Sequence, residues 1–496
     1  MNDLVLLSPI WLSALTGILV MLIDVMAQKD QKPGYLGYVA ATGLGISGLL
    51  AAFLWRHGAA LTTPFLTGVF SFGPYSLFFG LIVLMMGVAS LLIAPDYLNQ
   101  QSADQGEFYI LTAFSASGML VFVAATDLIA MFVGLETMSL SIYAMAASNR
   151  NSAISAEAGM KYFILGGLAS SFLLMGVAFL YGVTGSTNII DIGQYFMVNP
   201  PLGAAILPSF AMAMIIIGLG FKIAAVPFHF WTPDVYQGSP TPVTIWMAGA
   251  VKAAGFAVLA RLLLTMFHAN TFDSLSFNYK QIILILALLT MTYGNIVGIV
   301  QTDVKRILAY SSIAHAGYIL LGVYAVTDKG FLDSSVAFYL LTYAVATIAS
   351  FGVVALMGGE MNEDTSLDRF AGFGRRHPML GLILTISLLS LAGIPPFAGF
   401  AGKFYLFKDV MQADVQRNLP FVIFALVNSL IAVYYYLRII VSAYMEGEQR
   451  DDTSYPSVVS YITIGTAAVA LIVIGVYPSA FIEIARIAST HSLLLK

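Results

Sequence analysis

The 496-residue sequence contains no cysteine, which excludes a disulfide, a reactive thiol, a structural Cys-type zinc site and a thiolate-ligated iron–sulfur cluster. Charge is scarce too. Asp, Glu, Lys and Arg make up 10% of the chain, where a soluble protein carries about 25%, so too few ions are present to face water on every side. The net charge of −4 arises without a long run of one sign, and the electrostatic footprint of a nucleic-acid binder is missing. The six histidines, His57, His229, His268, His315, His377 and His491, are scattered without HExxH-type spacing, so a bound redox metal is not expected. Neither a GxxxxGK[ST] nor a strand-to-helix GxGxxG phosphate loop is found among the 44 glycines,.

The chain is instead rich in apolar length: 59% of residues are hydrophobic and the mean hydropathy is +0.87. A helix needs about 20 apolar residues to cross the hydrocarbon core. About fourteen such stretches can be counted, which predicts an all-α polytopic membrane protein with no soluble domain. The first stretch, 4–26, has no Ala-x-Ala-type site after it and reads as a retained span,. The predicted organisation is an N-terminal three-helix segment at 1–106, a first five-helix repeat at 107–267, a second at 268–444, and a C-terminal helix and tail at 445–496. Loops after odd-numbered spans hold nine cations and the opposite face six, which predicts odd loops in the cytoplasm and both termini outside.

Seven further cations fall within or at the rim of predicted spans: Lys161, Lys222, Lys252, Arg261, Lys403, Lys408 and Arg438. A lysine at a helix centre costs about 2.5–3.5 kcal/mol on insertion scales, so the central ones demand a reason. Lys161, Arg261, Lys408 and Arg438 lie near span ends and are expected to snorkel to the interface. Glu136, in the middle of the fifth span, has no loop to escape to and must be paired, hydrated or protonated,. Lys222 precedes Pro227 by five residues in the seventh span. Proline frees a carbonyl one turn back, so this helix is expected to break near 224–227 and to line a wet cavity. His229, beyond the break, is expected to bond a freed carbonyl. Lys252 lies near the middle of the eighth span and His315 about ten residues into the tenth. Near Lys403, Ile394-Pro-Pro-Phe397 marks a second break in the twelfth. Two interrupted helices at matching places of two similar blocks point to an inverted-repeat transporter core. Two unit charges about 7 Å apart at an effective dielectric near 20 interact by roughly 2.4 kcal/mol, nearly two pKa units, so moving one such charge resets its neighbour's proton occupancy. Glu136 and Lys222 are the first candidate switching pair.

Four segments carry a resemblance over nearly the whole chain. They are Gly134-Leu-Glu-Thr-Met-Ser139, Gly220-Phe-Lys through Ser239-Pro-Thr-Pro242, Asp303-Val-Lys-Arg through His315-Ala-Gly-Tyr318, and Gly393-Ile-Pro-Pro through Gly402-Lys403. The sequence resembles the antiporter-like membrane subunits of complex I, the NADH:quinone oxidoreductase. Lysine at 403, and an end soon after the fourteenth span, resemble the subunit N branch. The resemblance implies proton transfer by Glu136, Lys222, Lys252, His315 and Lys403, driven by redox chemistry elsewhere. It also implies no cofactor in this chain, with FMN, iron–sulfur clusters and quinone in partner subunits, and other membrane and peripheral subunits of complex I as partners in a bacterial inner membrane. Two other readings stand beside it: a subunit of a multisubunit sodium/proton antiporter or membrane-bound hydrogenase, and a passive scaffold whose polar residues fix helix packing.

Overall fold

Helices in this chain end where their unpaired backbone groups can be handed to another partner. The clearest case occurs twice. Asp127 caps the helix Leu128–Ala146 by accepting from the amides of Ile129 and Ala130, and also accepts from the Thr187 hydroxyl. Around it, Leu128 N donates to Thr187 O at 2.8 Å and Ile189 N to Thr126 O at 2.9 Å. Asp303, before the helix Val304–Val326, repeats the clasp. It accepts from Arg306 N and the Thr365 hydroxyl, while Val304 N donates to Thr365 O at 2.7 Å and Leu367 N to Thr302 O at 2.9 Å.

The computed structural model describes residues 3–27, 33–57, 68–201, 206–267, 279–326, 332–357, 363–445 and 456–490. Of the sequence-predicted loop cations, Lys29, Lys32, Lys329, Arg450 and Lys496 lie outside these residues. In chain order the main helices are α1 (Ser8–Met26), α2 (Tyr35–His57), α3 (Pro74–Gln100), α4 (Gly106–Ala124), α5 (Leu128–Ala146), α6 (Ala153–Thr184), α7 (Ile206–Lys222), α8 (Trp231–Gly238) and α9 (Thr241–Thr265). They continue as α10 (Tyr279–Val300), α11 (Val304–Val326), α12 (Ser334–Met357), α13 (Pro378–Ala392), α14 (Ala398–Ala413), α15 (Val415–Met445) and α16 (Val458–Val476). Among the described residues twelve helices are long and apolar enough to cross a membrane; α7 lies in the predicted seventh span and α13/α14 in the twelfth, while α8 forms in the proline-rich stretch between the seventh and eighth. Strand pairing among these residues is limited to isolated bridges. The protein is a multi-pass helical membrane protein.

Burial is graded from rim to centre. On α1 the side chains Leu15, Leu19 and Leu22 point outward, and the serines Ser13 and Ser47 meet inside at 3.0 Å. The apolar side faces out because the surroundings are apolar, and small or polar residues mediate helix contact. Helices α4 and α5 pack so closely that a Cβ on Gly118 would lie 2.6 Å from Met138 N, and one on Gly134 would lie 2.6 Å from Phe122 N. At the centre, α9 is wholly buried and α11 and α12 nearly so. These three carry Lys252, His315 and a set of tyrosines.

Candidate functional site

Helix α5 brings Glu136, Ser139 and Tyr143 onto one face by their i, i+3, i+7 spacing. Lys222, the last residue of α7, is buried against that face. Its Nζ donates to Ser139 Oγ at 2.8 Å and to the Tyr143 hydroxyl at 3.2 Å. It also lies 5.3, 5.5 and 5.6 Å from the ring centres of Tyr143, Tyr162 and Phe221, an aromatic cage that favours a cation,. Glu136 lies within electrostatic reach of Lys222 but is not its hydrogen-bond partner; its Oε1 is buried with no hydrogen-bond partner among the described residues. The anticipated pair is present as two neighbours held apart.

The break after Lys222 follows the proline logic. Ala224 takes a left-handed φ of +61°, the Val226–Pro227 peptide is cis, and Val226 N donates to Thr290 Oγ1 at 2.9 Å. The carbonyl of Phe221, in the last turn of α7, accepts from Ala224 N at 3.1 Å and from Trp231 Nε1 at 3.0 Å. His229 keeps the main-chain carbonyl of Pro227, within the break, in reach of its imidazole, as expected, and packs its ring 4.5 Å from that of Tyr293.

Lys252 follows a π-turn at Met247–Val251, a local unwinding that favours functional positions,. Lys222 sits close by, because a Cβ on Gly255, one turn beyond Lys252, would lie 3.8 Å from Lys222 Cβ. The Lys252 ammonium donates to Ser312 O at 2.6 Å and to Ser312 Oγ, and the same Oγ accepts from the Tyr343 hydroxyl at 2.7 Å. One turn further along α11, His315 is held at both nitrogens, by the Tyr339 hydroxyl at 2.7 Å and the Tyr436 hydroxyl at 3.1 Å. Its ring also packs 5.0 Å from that of Tyr343, and Tyr436 is bonded to Ser311 Oγ.

Lys403 ends the row. In the second break, Gly393 adopts φ +87° and closes α13, and α14 starts again at Ala398. Lys403 reaches back from α14 and donates to the last carbonyls of α13, Leu391 O at 3.1 Å and Ala392 O at 2.9 Å, and to Ser429 Oγ at 2.8 Å. The negative end of a half-helix thus holds the cation. Its Nζ lies 5.3 Å from the centre of the Tyr318 ring, whose hydroxyl accepts from Asn295, which in turn accepts from Tyr435 at 3.0 Å.

Four of the five residues singled out from sequence, Lys222, Lys252, His315 and Lys403, are buried; Glu136 is partly buried. Together they run from α5 through the central helices to α14. Sequence reasoning missed the groups between them: Ser312, Tyr339, Tyr343, Tyr436 and Asn295. The i, i+4 spacing of Tyr339 and Tyr343 in an apolar helix was an available signal,. Three cations were misplaced, among them Lys280, counted with the loops but buried in the first turn of α10. Arg261 does not snorkel: it is buried, donates to Val123 O at 2.5 Å and Ser76 Oγ at 2.9 Å, and stacks on Tyr75 at 4.6 Å. Val123 O is an unpaired carbonyl at the end of α4, so Arg261 acts as its cap. Lys305, counted with the loops, is fully buried in the first turn of α11 and pairs with Glu363 at 2.8 Å. Its counter-charge is 58 residues away in sequence and was invisible to local reading. Of the other three rim cations, Lys161 pairs with Glu157 and Asp234 at 2.7 Å each, and Arg438 donates to the carbonyls of Ile299 and Gln301, while Lys408 is exposed.

A polytopic bundle with two interrupted helices, each contributing a buried lysine to a row of ionisable side chains, has the build of a membrane transporter core. Residues 125–432 match the family described as "NADH:quinone oxidoreductase/Mrp antiporter, TM". The chain belongs to that family. It is 39% identical over 472 residues to the NADH-quinone oxidoreductase subunit N of Trichlorobacter lovleyi, covering 95% of this chain and 93% of that one. A chain of respiratory complex I from Thermus thermophilus superposes with a TM-score of 0.79 at 32% identity, covering 96% of this chain and 98% of that one. A chain of an archaeal membrane-bound sulfane sulfur reductase superposes with a TM-score of 0.85 at 25% identity, over 99% of this chain and 98% of its own.

Proposed function

We propose that this chain is the proton-translocating membrane subunit of an NADH:quinone oxidoreductase. It works among the other membrane and peripheral subunits of that complex in a bacterial inner membrane, with both termini on the periplasmic side. Glu136, Lys222, Lys252, His315 and Lys403 carry the proton, and residues 107–267 and 268–444 act as two inverted repeats. The doubled Thr-Asp clasp supports the repeat reading: Asp127 and Asp303 are separated by five spans, so the two clasps belong to opposite faces. The observation that carries the functional reading is the row itself. Each lysine holds its ammonium on hydroxyls or main-chain carbonyls that accept a proton donor without trapping it in a carboxylate ion pair.

In this reading, movement of Glu136 relative to Lys222 changes the electrostatic cost of keeping the ammonium charged, and the proton is released toward Lys252. Ser312 joins Lys252 to Tyr343, His315 takes up the charge between two tyrosines, and the half-helix carbonyls of α13 receive it at Lys403. With no cysteine in the chain, iron–sulfur clusters belong to partner subunits, and FMN and quinone are placed there with them. The test is Lys222→Met in the assembled complex, which keeps the stem's bulk and removes the ammonium. Proton translocation per NADH oxidised, read by a pH-sensitive dye in sealed vesicles, is expected to fall. Normal assembly with unaltered translocation overturns the reading.

A further inference from the structure

A cavity of about 470 Å³ opens on one face of the bundle, among helix ends and connections that include Tyr97, Gln237, Asp303 and Glu363. At its floor, buried Lys305 donates to Glu363 Oε2 and to Ser239 O, each at 2.8 Å. Glu363 also accepts from the Tyr97 hydroxyl at 2.7 Å and from Thr241 Oγ1. A buried ion pair is weak evidence for stability, because the loss of hydration offsets the attraction, and packing alone does not explain this one. Glu363 faces the cavity while Lys305 is wholly enclosed, so the pair bridges water and interior.

Lys305 and Ser312 lie seven residues apart on α11, two turns and roughly 10 Å along one face. Helix α8 packs against α11 and ends beside Lys305, with Asp234 and Gln237 bonded to Arg306. It supplies Tyr236 and is capped by Ser239; both hydroxyls are buried, Ser239 Oγ has no hydrogen-bond partner among the described residues, and the Tyr236 hydroxyl lies beside that of Ser312. Ser239 sits at the Lys305 end, where its carbonyl is bonded. Tyr236 sits at the other end, within electrostatic reach of Tyr343. A buried hydroxyl without a protein partner is a place for bound water.

We propose that the Lys305–Glu363 pair is the proton-loading port of the row, connecting the cavity to Lys252 through water held by Ser239 and Tyr236. The inference rests on the transport reading above. The Glu363 carboxylate takes a proton from cavity water, which loosens its hold on the Lys305 ammonium. Lys305 passes a proton through the bound water to neutral Lys252, and transfer from Glu363 to Lys305 restores the ion pair. One proton enters and one leaves.

The experiment compares Glu363→Gln, Glu363→Asp and Tyr236→Phe in the whole complex, in sealed vesicles, by dye-detected translocation per NADH oxidised, with Lys222→Met alongside. Glu363→Gln and Tyr236→Phe are each expected to lower the ratio at least twofold, with the double variant no lower than the worse single one, and Glu363→Asp is expected to recover most of it. Tyr236→Phe keeps the buried ring and removes only the hydroxyl, and thermal inactivation of the assembled complex is read alongside, so that a lowered ratio at native thermal resistance separates transport from architecture. It also carries the test if Glu363→Gln fails to assemble. An unchanged ratio in Tyr236→Phe and Glu363→Gln, with a lowered one in Lys222→Met, overturns the port alone. An unchanged ratio in all three overturns the transport reading with it.

Discussion

Ser312 is the joint between the two halves of the row, and replacing it by alanine should break the row at one atom. In the native protein its Oγ accepts from Lys252 and from Tyr343, while its carbonyl separately accepts from Lys252 at 2.6 Å. The Ser312→Ala substitution removes one oxygen, opens almost no space and leaves the main-chain acceptor in place, so Lys252 stays where it is. The Tyr343 hydroxyl, however, loses its acceptor in a buried site, at a cost of about 1–3 kcal/mol. If that cost falls on the transfer step, with 1.4 kcal/mol per tenfold, the rate through this segment drops by roughly 5-fold to 150-fold. Tyr343→Phe is the companion: it removes the orphaned donor as well, so the double variant should be less impaired than the two single effects added together. The assay is single-complex turnover in sealed vesicles, with proton flux normalised to NADH oxidation, and Ser312→Thr, which keeps a hydroxyl, should restore flux. If Ser312→Ala assembles and pumps at the native ratio, the hydroxyl chain is not the conducting element and the reasoning fails.

Gly393→Ala should act on both backbone and charge. A non-glycine residue at φ +87° costs about 1–2 kcal/mol, and the new methyl would lie 2.9 Å from Lys403 Cδ, so both thermal resistance and flux should fall,; native values for both would refute the placement. Arg261→Met should behave differently. It orphans the terminal carbonyl of α4 at a cost of about 1–3 kcal/mol, so the complex should inactivate at lower temperature while protons translocated per NADH stay unchanged,. An equal loss in that ratio would mean Arg261 belongs to the conducting row.

The membrane class and the positions of both breaks were legible in the sequence because each rests on a local rule: apolar length for the spans, and the missing proline N–H for the interruptions. Glu136, Lys222, Lys252, His315 and Lys403 were legible because a charge at bilayer depth is costly enough to need a reason wherever it occurs. Whatever depended on partners distant in sequence was hidden. Lys305 looked like a loop cation until Glu363 supplied its counter-charge, and Arg261 looked free to reach the interface until Val123 and Tyr75 enclosed it. The tyrosines were masked for another reason: in an apolar helix Tyr339 and Tyr343 read as bulk, and only the fold shows what their hydroxyls touch.

The acceptors of Lys252 and Lys403 include main-chain oxygens: one from Ser312, and two from Leu391 and Ala392. No point substitution deletes a peptide carbonyl. These two resting places are therefore buffered against mutational drift in a way that Lys222, held by two side-chain hydroxyls, is not. Homologous chains should be free to vary the residue at 391 or 392 while keeping the glycine and prolines that bend the backbone there. The seat for the charge is encoded in curvature more than in chemistry.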